Sequence, residues 1–363
     1  MSFGIGSRIV PSVQELVKEN ITEIPHRYIR TSSLNSEDHD NDNLAKYTVP
    51  VISIECLLSG DSSVADSELE KLHSACKDWG FFQVVDHGVS SSTTEKIKSE
   101  VRNLFELPLE EKKKLWQKPG DQEGFGQQFV VSDEQKLDWY DMFLVTILPT
   151  ITRKTHLFAA IPLPLREALE AYSLGLKKLT MILLGQMAKA LKMDSNEMTD
   201  LFNDCSQRIR MNYYPPCPKP EQVLGASPHS DACALTILQQ LNEIDGLQIC
   251  KDGKWLLVKP VLDAFIVNVG DMIEILSNGA YRSIEHRVVI HPTKERLSIA
   301  TFHSTNLDAE FGPALSLIDP PSKPSLFRRE TSQKYFQNFF SYKIDGKSNL
   351  DSMRIQTTPG NIS

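Results

Sequence analysis

From Gln207 onward the chain changes its period, and that change restricts the folds open to it more than any other feature. Segments near 207–214, 234–240, 247–250, 255–258, 265–269, 281–290 and 296–303 are short and β-rich. Gly, Pro, Asn or Asp separates them. Short strands at such spacing predict a sandwich or barrel, here a jelly roll. The preceding half reads differently. Leu165, Leu169, Tyr172, Leu176, Leu179 and Leu183 recur at helical spacing and predict one long helix over Pro164 to Leu191 with a core-facing stripe. The expected class is therefore mixed α/β, a jelly-roll core with flanking helices. Its parts are a mainly helical region over 1–200 that includes the first strands, the jelly-roll core over 201–310, and a C-terminal helix and tail over 311–363.

Smaller elements follow from local signals. Ser12 suits the cap of a short helix through Val13, Leu16 and Val17. Val49 to Ile54 and Phe81 to Val85 read as strands. Ser67 to Asp78, Thr93 to Leu107, Pro108 to Trp116, Asn196 to Phe202 and Tyr335 to Phe340 read as helices. Thr31 to Asn43 is polar without apolar periodicity, and Pro119 to Gln128 is glycine-rich, so both read as loops.

The net charge of -8 over 363 residues argues against nucleic acid or an anionic membrane as partner. No apolar run approaches the ~20 residues that span a bilayer. Met1 to Pro11 lacks the pattern of a secretion signal. A cytoplasmic protein is expected, with Cys56, Cys76, Cys205, Cys217, Cys233 and Cys250 as reduced thiols.

The chemistry lies in His229-Ser230-Asp231, His286 and Arg296-Leu297-Ser298. Two histidines and one carboxylate can hold one face of a non-haem Fe(II) and leave other positions open. Residues i and i+2 of a strand point to one side, so His229 and Asp231 can reach one ion. An isolated His-x-Asp is weak evidence, and a histidine taken alone is more often structural. The third ligand has three candidates. His291 precedes Pro292 and reads as a loop residue. His303 falls on the strand face opposite Arg296 and Ser298. Over Tyr281 to Ile290, His286 shares an expected inward face with Arg282, Ile284, Val288 and Ile290, so alternation favours it. Arg296 and Ser298 then share a face, where a bidentate cation and a hydroxyl suit a dicarboxylate. The competing reading of Arg296 is a surface ion pair of little consequence.

Taken together these residues resemble the plant 2-oxoglutarate/Fe(II)-dependent dioxygenases of the isopenicillin-N-synthase-like superfamily. The likeness covers nearly the whole chain. It is carried by Trp79-Gly80-Phe81-Phe82-Gln83-Val84-Val85-Asp86-His87-Gly88-Val89, where the family usually has Asn at the position of Asp86, and by Arg210-Met211-Asn212-Tyr213-Tyr214-Pro215-Pro216-Cys217-Pro218. Asn268-Val269-Gly270-Asp271, His286-Arg287 and Arg296-Leu297-Ser298 complete it. Members acting in specialised metabolism, such as the codeine and thebaine O-demethylases, are the most similar. That nearer likeness rests on Leu137-Asp138-Trp139, His156-Leu157-Phe158, Met211 to Pro218 and Asp345-Gly346-Lys347.

The resemblance implies a double-stranded β-helix. It implies Fe(II) on His229, Asp231 and His286, and 2-oxoglutarate held by Arg296 and Ser298, with Tyr214 assisting and Asn212 near its C1 end. O2 is the second cosubstrate and ascorbate an accessory reductant. Phe302 and Ser304 would lie near the substrate, with Met142, Leu144 and Phe129 lining its pocket; the alternative is that these are ordinary core residues. No cluster of basic residues on those wall positions demands an acidic substrate. The expected reaction is hydroxylation or O-demethylation of a small aromatic plant metabolite by a monomer that binds neither nucleic acid nor membrane. Two other readings stand beside it: an oxidase of the same superfamily that does not use 2-oxoglutarate, and a binding protein on this scaffold without turnover.

Overall fold

Strand alternation gives the large sheet two chemically different faces, and the site lies on one of them. The structure is a computed structural model describing residues 8–19, 21–30, 48–127, 130, 132–341 and 346–355. Its main strands are β1 (Val51–Ser53), β2 (Phe81–Val85), β3 (Gly124–Gly126), β4 (Asp141–Leu148), β5 (Ser206–Tyr214), β6 (Ala226–His229), β7 (Leu235–Gln240), β8 (Leu247–Lys251), β9 (Lys254–Leu257), β10 (Phe265–Val269), β11 (His286–Val288) and β12 (Arg296–Ser304). The larger sheet has the order β1-β2-β10-β7-β12-β5-β4-β3 and the smaller the order β6-β11-β8-β9. Within both, only the β1–β2 pair is parallel.

On one face of the larger sheet, Val145, Ile209, Met211, Ile237, Val267, Leu297 and Ile299 join a core with Leu169, Tyr172, Leu176, Leu179 and Leu183. Those helical residues are the stripe read from the sequence, and the helix runs Leu163–Leu191. The opposite face turns Met142, Leu144, Tyr214 and Ile266 into a second core with Leu247, Ile249 and Val288 of the smaller sheet. The arrangement is a mixed α/β fold with a large, mostly antiparallel sheet, helices on one side and a second sheet on the other.

Several elements depart from the sequence reading. β4 went unseen because Asp141–Leu148 is buried along nearly its whole length, which erases the polar beat of a half-exposed strand. β6 is short and contains Pro228. The helix Asp271–Leu276 is buried throughout and too short to display a period. The expected strand over 281–290 shrinks to β11, and Arg282 is exposed rather than inward, so the common face through Ile284 does not form. β3 occupies part of the expected 119–128 loop, whose end at Gln128 lies outside the described residues, as does Thr31 to Asn43.

The Ser12 cap holds: its side chain accepts from the Glu15 amide at the start of the helix Val13–Lys18. The C-terminal helix spans Ser332–Ser341, and a further helix, Ser348–Met353, follows. The six cysteines form no disulfide. No helix among the described residues is long and apolar enough to cross a membrane.

Candidate active site

His229 and His286 are directly opposed across the antiparallel β6–β11 pair. Their ring centroids are 4.3 Å apart. Asp231 follows two residues after His229, just beyond the end of β6. Its Oδ1 lies 3.7 Å from His229 Nε2 and 3.9 Å from His286 Nε2. One ligand atom from each residue falls within 4.8 Å of the others, and all three side chains are nearly buried.

The surroundings leave the right atoms available. His229 Nδ1–H donates to the Ser227 carbonyl at 2.7 Å, which fixes the tautomer with a lone pair on Nε2. His286 Nδ1 faces the Ile284 carbonyl at 3.4 Å, and its ring meets Phe81 edge-on. Asp231 Oδ2 accepts from Thr236 Oγ1 at 2.6 Å and from Asn268 Nδ2 at 2.8 Å, so Oδ1 is the oxygen turned toward the histidines. Asn268 was legible as part of a motif but not as a partner of Asp231. Gly270, two residues on, packs its backbone against Cys233, where a Cβ would come within 2.0 Å of the carbonyl oxygen.

Electrostatics agree with metal binding. Burial, reinforced by the neighbouring His286, lowers His229 to about 4, against the opposing pull of Asp231. Burial alone would raise Asp231. The charges of His286 and His229 and the two hydrogen bonds outweigh it and bring Asp231 down to about 2. A neutral imidazole and an ionised carboxylate are the forms that bind a cation. The donor set of two nitrogens and one oxygen, with no fourth protein ligand among the described residues, fits a metal that keeps open positions.

A second polar group occupies the facing sheet. Arg296 and Ser298 on β12 pair across the ladder with Tyr214 and Asn212 on β5. Arg296 is 2% exposed. It donates from Nη1 to Ser298 Oγ at 3.4 Å and from Nη2 to Gln240 Oε1 at 3.2 Å, while Nε has no partner. No described carboxylate forms an ion pair with it, and burial pulls its pKa below the usual arginine value. Asn212 donates to Ser298 Oγ at 3.3 Å, and its Oδ1 is also buried without a partner. An unneutralised buried cation with an unpartnered Nε–H is a cradle for an anion, while the unpartnered Asn212 Oδ1 can accept only from a donor.

Met142 and Leu144 on β4 stand opposite Asn212 and Arg210 and share the site face, although both are fully buried among apolar neighbours. Phe302 and Ser304 continue the Arg296 face of β12. Phe129 lies outside the described residues. His303 is buried on the other face beside Gln207, and His291 caps a turn at Thr293 and Lys294, so neither approaches the triad.

The sequence reading missed Arg210, although alternation from Asn212 and Tyr214 points to it. Its guanidinium sits 5.2 Å over the Phe302 ring, and its Nε is buried without a partner. A cavity beside His229 is lined by Arg210, Tyr214, Tyr140, Asp138 and Arg30.

Asp138 is a second missed residue. It accepts from the Ser227 amide at 3.0 Å and the Ser227 hydroxyl at 2.6 Å, and so holds the carbonyl that orients His229. Replacing Asp138 with Ala is expected to weaken Fe(II) binding about tenfold, the range for loss of an outer partner of a ligating histidine. Equilibrium dialysis of Fe(II) would check this, and unchanged affinity would remove Asp138 from the site.

Residues 205–305 match the 2OG-Fe(II) oxygenase superfamily, and residues 49–160 match the family described as non-haem dioxygenase in morphine synthesis N-terminal. Codeine O-demethylase of Papaver somniferum is 51% identical over 347 residues, 95% of this chain and 96% of the relative. Oxoglutarate-dependent flavonoid 7-O-demethylase 1 of Ocimum basilicum is 51% identical over 348 residues, 96% of this chain and 91% of the relative. The crystal structure of JOX2 in complex with 2OG, Fe and JA superposes with a TM-score of 0.85 at 32% identity, covering 96% of this chain and 99% of that one.

Proposed function

The chain belongs to the 2OG-Fe(II) oxygenase superfamily and is a 2-oxoglutarate-dependent dioxygenase, and on that premise we propose that it oxidises a C–H bond of an aromatic plant metabolite, by hydroxylation or by O-demethylation of an alkaloid or flavonoid. The observation that carries this reading is the buried, unneutralised Arg296 cradle on the sheet facing the His229–Asp231–His286 cluster. The two sheets that frame the site support a double-stranded β-helix as its scaffold.

His229, Asp231 and His286 would hold Fe(II). Arg296 and Ser298, with Tyr214 beside them, would take the distal carboxylate of 2-oxoglutarate, and Asn212 would lie toward its C1 end. Bound Fe(II) and 2-oxoglutarate, with O2, supply the oxidising power, and the cosubstrate leaves as succinate and CO2. The protein orients the reactants and excludes water through the buried faces of β5 and β12. No side-chain nucleophile is required.

Substrate choice falls to the cavity beside His229. Tyr140 and Tyr214 on its lining would offer rings to a flat ligand, and Phe302 lies under Arg210 at its edge, whereas Met142 and Leu144 are buried and do not line it. Arg210 and Lys136 line it as cations beside the Arg30–Asp138 ion pair, and Arg210 is suited to a phenolate or carbonyl oxygen. If the oxidised carbon is an O-methyl group, its hydroxylated product collapses to the free phenol or alcohol and formaldehyde.

The test is to incubate the Fe(II)-loaded enzyme with 2-oxoglutarate and a panel of methoxylated alkaloids and flavonoids. An O-demethylated substrate should release succinate and formaldehyde in equal amounts, and a hydroxylated one should release succinate in step with its alcohol product. Succinate release unaffected by every member of the panel would overturn the substrate class.

A further inference from the structure

Of the Asp345-Gly346-Lys347 stretch singled out in the sequence, Asp345 lies outside the described residues, and Gly346 and Lys347 lie within them. Gly346 forms an isolated parallel bridge with His229, on the edge of β6 that β11 leaves open. Its φ of +51° is left-handed, and an added Cβ would meet Glu285 Oε1 at 2.7 Å.

The next residue reaches further. Lys347 Nζ donates to Glu274 Oε2 at 2.8 Å and to the Ser283 carbonyl at 2.6 Å. Glu274 is 5% exposed. Its Oε2 also accepts the Ser283 amide at 2.8 Å, and its Oε1 accepts from Arg354 Nη2 at 3.0 Å.

Each of these contacts sits one step from a member of the iron-binding triad. Ser283 begins the irregular run that ends at His286. The helix bearing Glu274 starts at Asp271, whose amide donates to the Asp231 carbonyl at 2.8 Å and whose carboxylate accepts from Ser230 Oγ at 3.3 Å. Gly346 abuts His229. One C-terminal turn thus abuts His229 directly and connects to Asp231 and His286 through Glu274 and Ser283, with the half-buried Lys347 and Arg354 both paired to the nearly buried Glu274 carboxylate.

We propose that Lys347 and Glu274 form a clasp that positions His229, Asp231 and His286 for Fe(II), making Lys347 a positioning residue contributed by the C-terminal segment. This inference rests on the iron reading of the triad. The segment is anchored independently: Leu350 and Met353 are fully buried, and Arg328 and Ile355 donate backbone hydrogen bonds between this segment and 326–328. Loss of the Lys347 side chain therefore leaves the Ser348–Met353 helix in place.

The experiment compares the full chain with Lys347→Met, Lys347→Arg and Glu274→Gln. Fe(II) affinity is measured by anaerobic equilibrium dialysis, ligand geometry by the visible absorption of bound Co(II), and metal-free stability by thermal unfolding. Lys347→Met and Glu274→Gln should each weaken Fe(II) about tenfold and alter the Co(II) spectrum, while Lys347→Arg stays within about threefold of the parent, as expected for an outer-sphere support. A fall in the metal-free unfolding temperature with parental affinity and spectrum would make the clasp purely structural and overturn the proposal. Should Lys347→Met not fold, Lys347→Gln takes its place under the same criterion. A parent chain that binds neither Fe(II) nor Co(II) would overturn the iron reading itself, an outcome distinct from failure of the clasp alone.

Discussion

Replacing Asp231 with Ala is expected to remove Fe(II) binding and turnover together. Asp231 Oδ1 is the atom common to both close histidine contacts, at 3.7 and 3.9 Å. Two imidazoles remain without it, and neither the charge nor the geometry of a facial triad survives. Loss of an outer partner alone costs ~10–100-fold in metal affinity, and loss of a ligand should exceed that range. The readout is an anaerobic titration of the Fe(II)-loaded protein with 2-oxoglutarate, following the weak visible charge-transfer band of a chelated keto acid. The parent should develop the band, whereas Asp231→Ala and His286→Ala should not. Parental band intensity in either variant would dislodge that residue from the triad. Asp231→Asn sharpens the test, because it conserves shape while removing the charge.

The strand faces that carry the candidate residues were more legible than the elements around them, and for a physical reason. Two-residue alternation survives wherever one strand face is polar, as in Arg210, Asn212 and Tyr214 against Ile209 and Met211, and it put Arg296 and Ser298 on one face. The same rule assigned His303 correctly to the far side. Alternation is silent where both faces are buried, and there β4 was lost. It also cannot register a six-residue buried helix, and there Asp271–Leu276 was lost, with Glu274 inside it. His286 was chosen over its rivals on an expected strand through Ile284 that does not form. The short β11 alone sets His286 opposite His229. Contacts distant in sequence, such as Asp138 with Ser227 or Lys347 with Glu274, leave no local periodicity to read.

Arg296→Ala is expected to separate cosubstrate binding from metal binding. The guanidinium is buried, lacks a carboxylate partner among the described residues, and keeps Nε unpaired. In the absence of an anion such a cation costs stability; an incoming carboxylate removes that cost and gains charge-assisted hydrogen bonds. Truncating one partner of a buried ion pair costs ~2–5 kcal/mol, so 2-oxoglutarate affinity should fall by roughly 30- to 5000-fold. Fe(II) affinity should remain near that of the parent, because Arg296 contacts none of the three ligands. The sign of the stability change adds an independent check. Without cosubstrate, Arg296→Ala should unfold at the parental temperature or above it, since a buried unpaired charge has been removed. With saturating 2-oxoglutarate the parent should gain thermal stability and the variant should not. Arg296→Lys should fall between them, retaining the charge without the planar fork. Equal 2-oxoglutarate affinity in Arg296→Ala and the parent would mean that the cradle serves another anion, and the oxidase reading would then gain the ground that the cosubstrate reading lost.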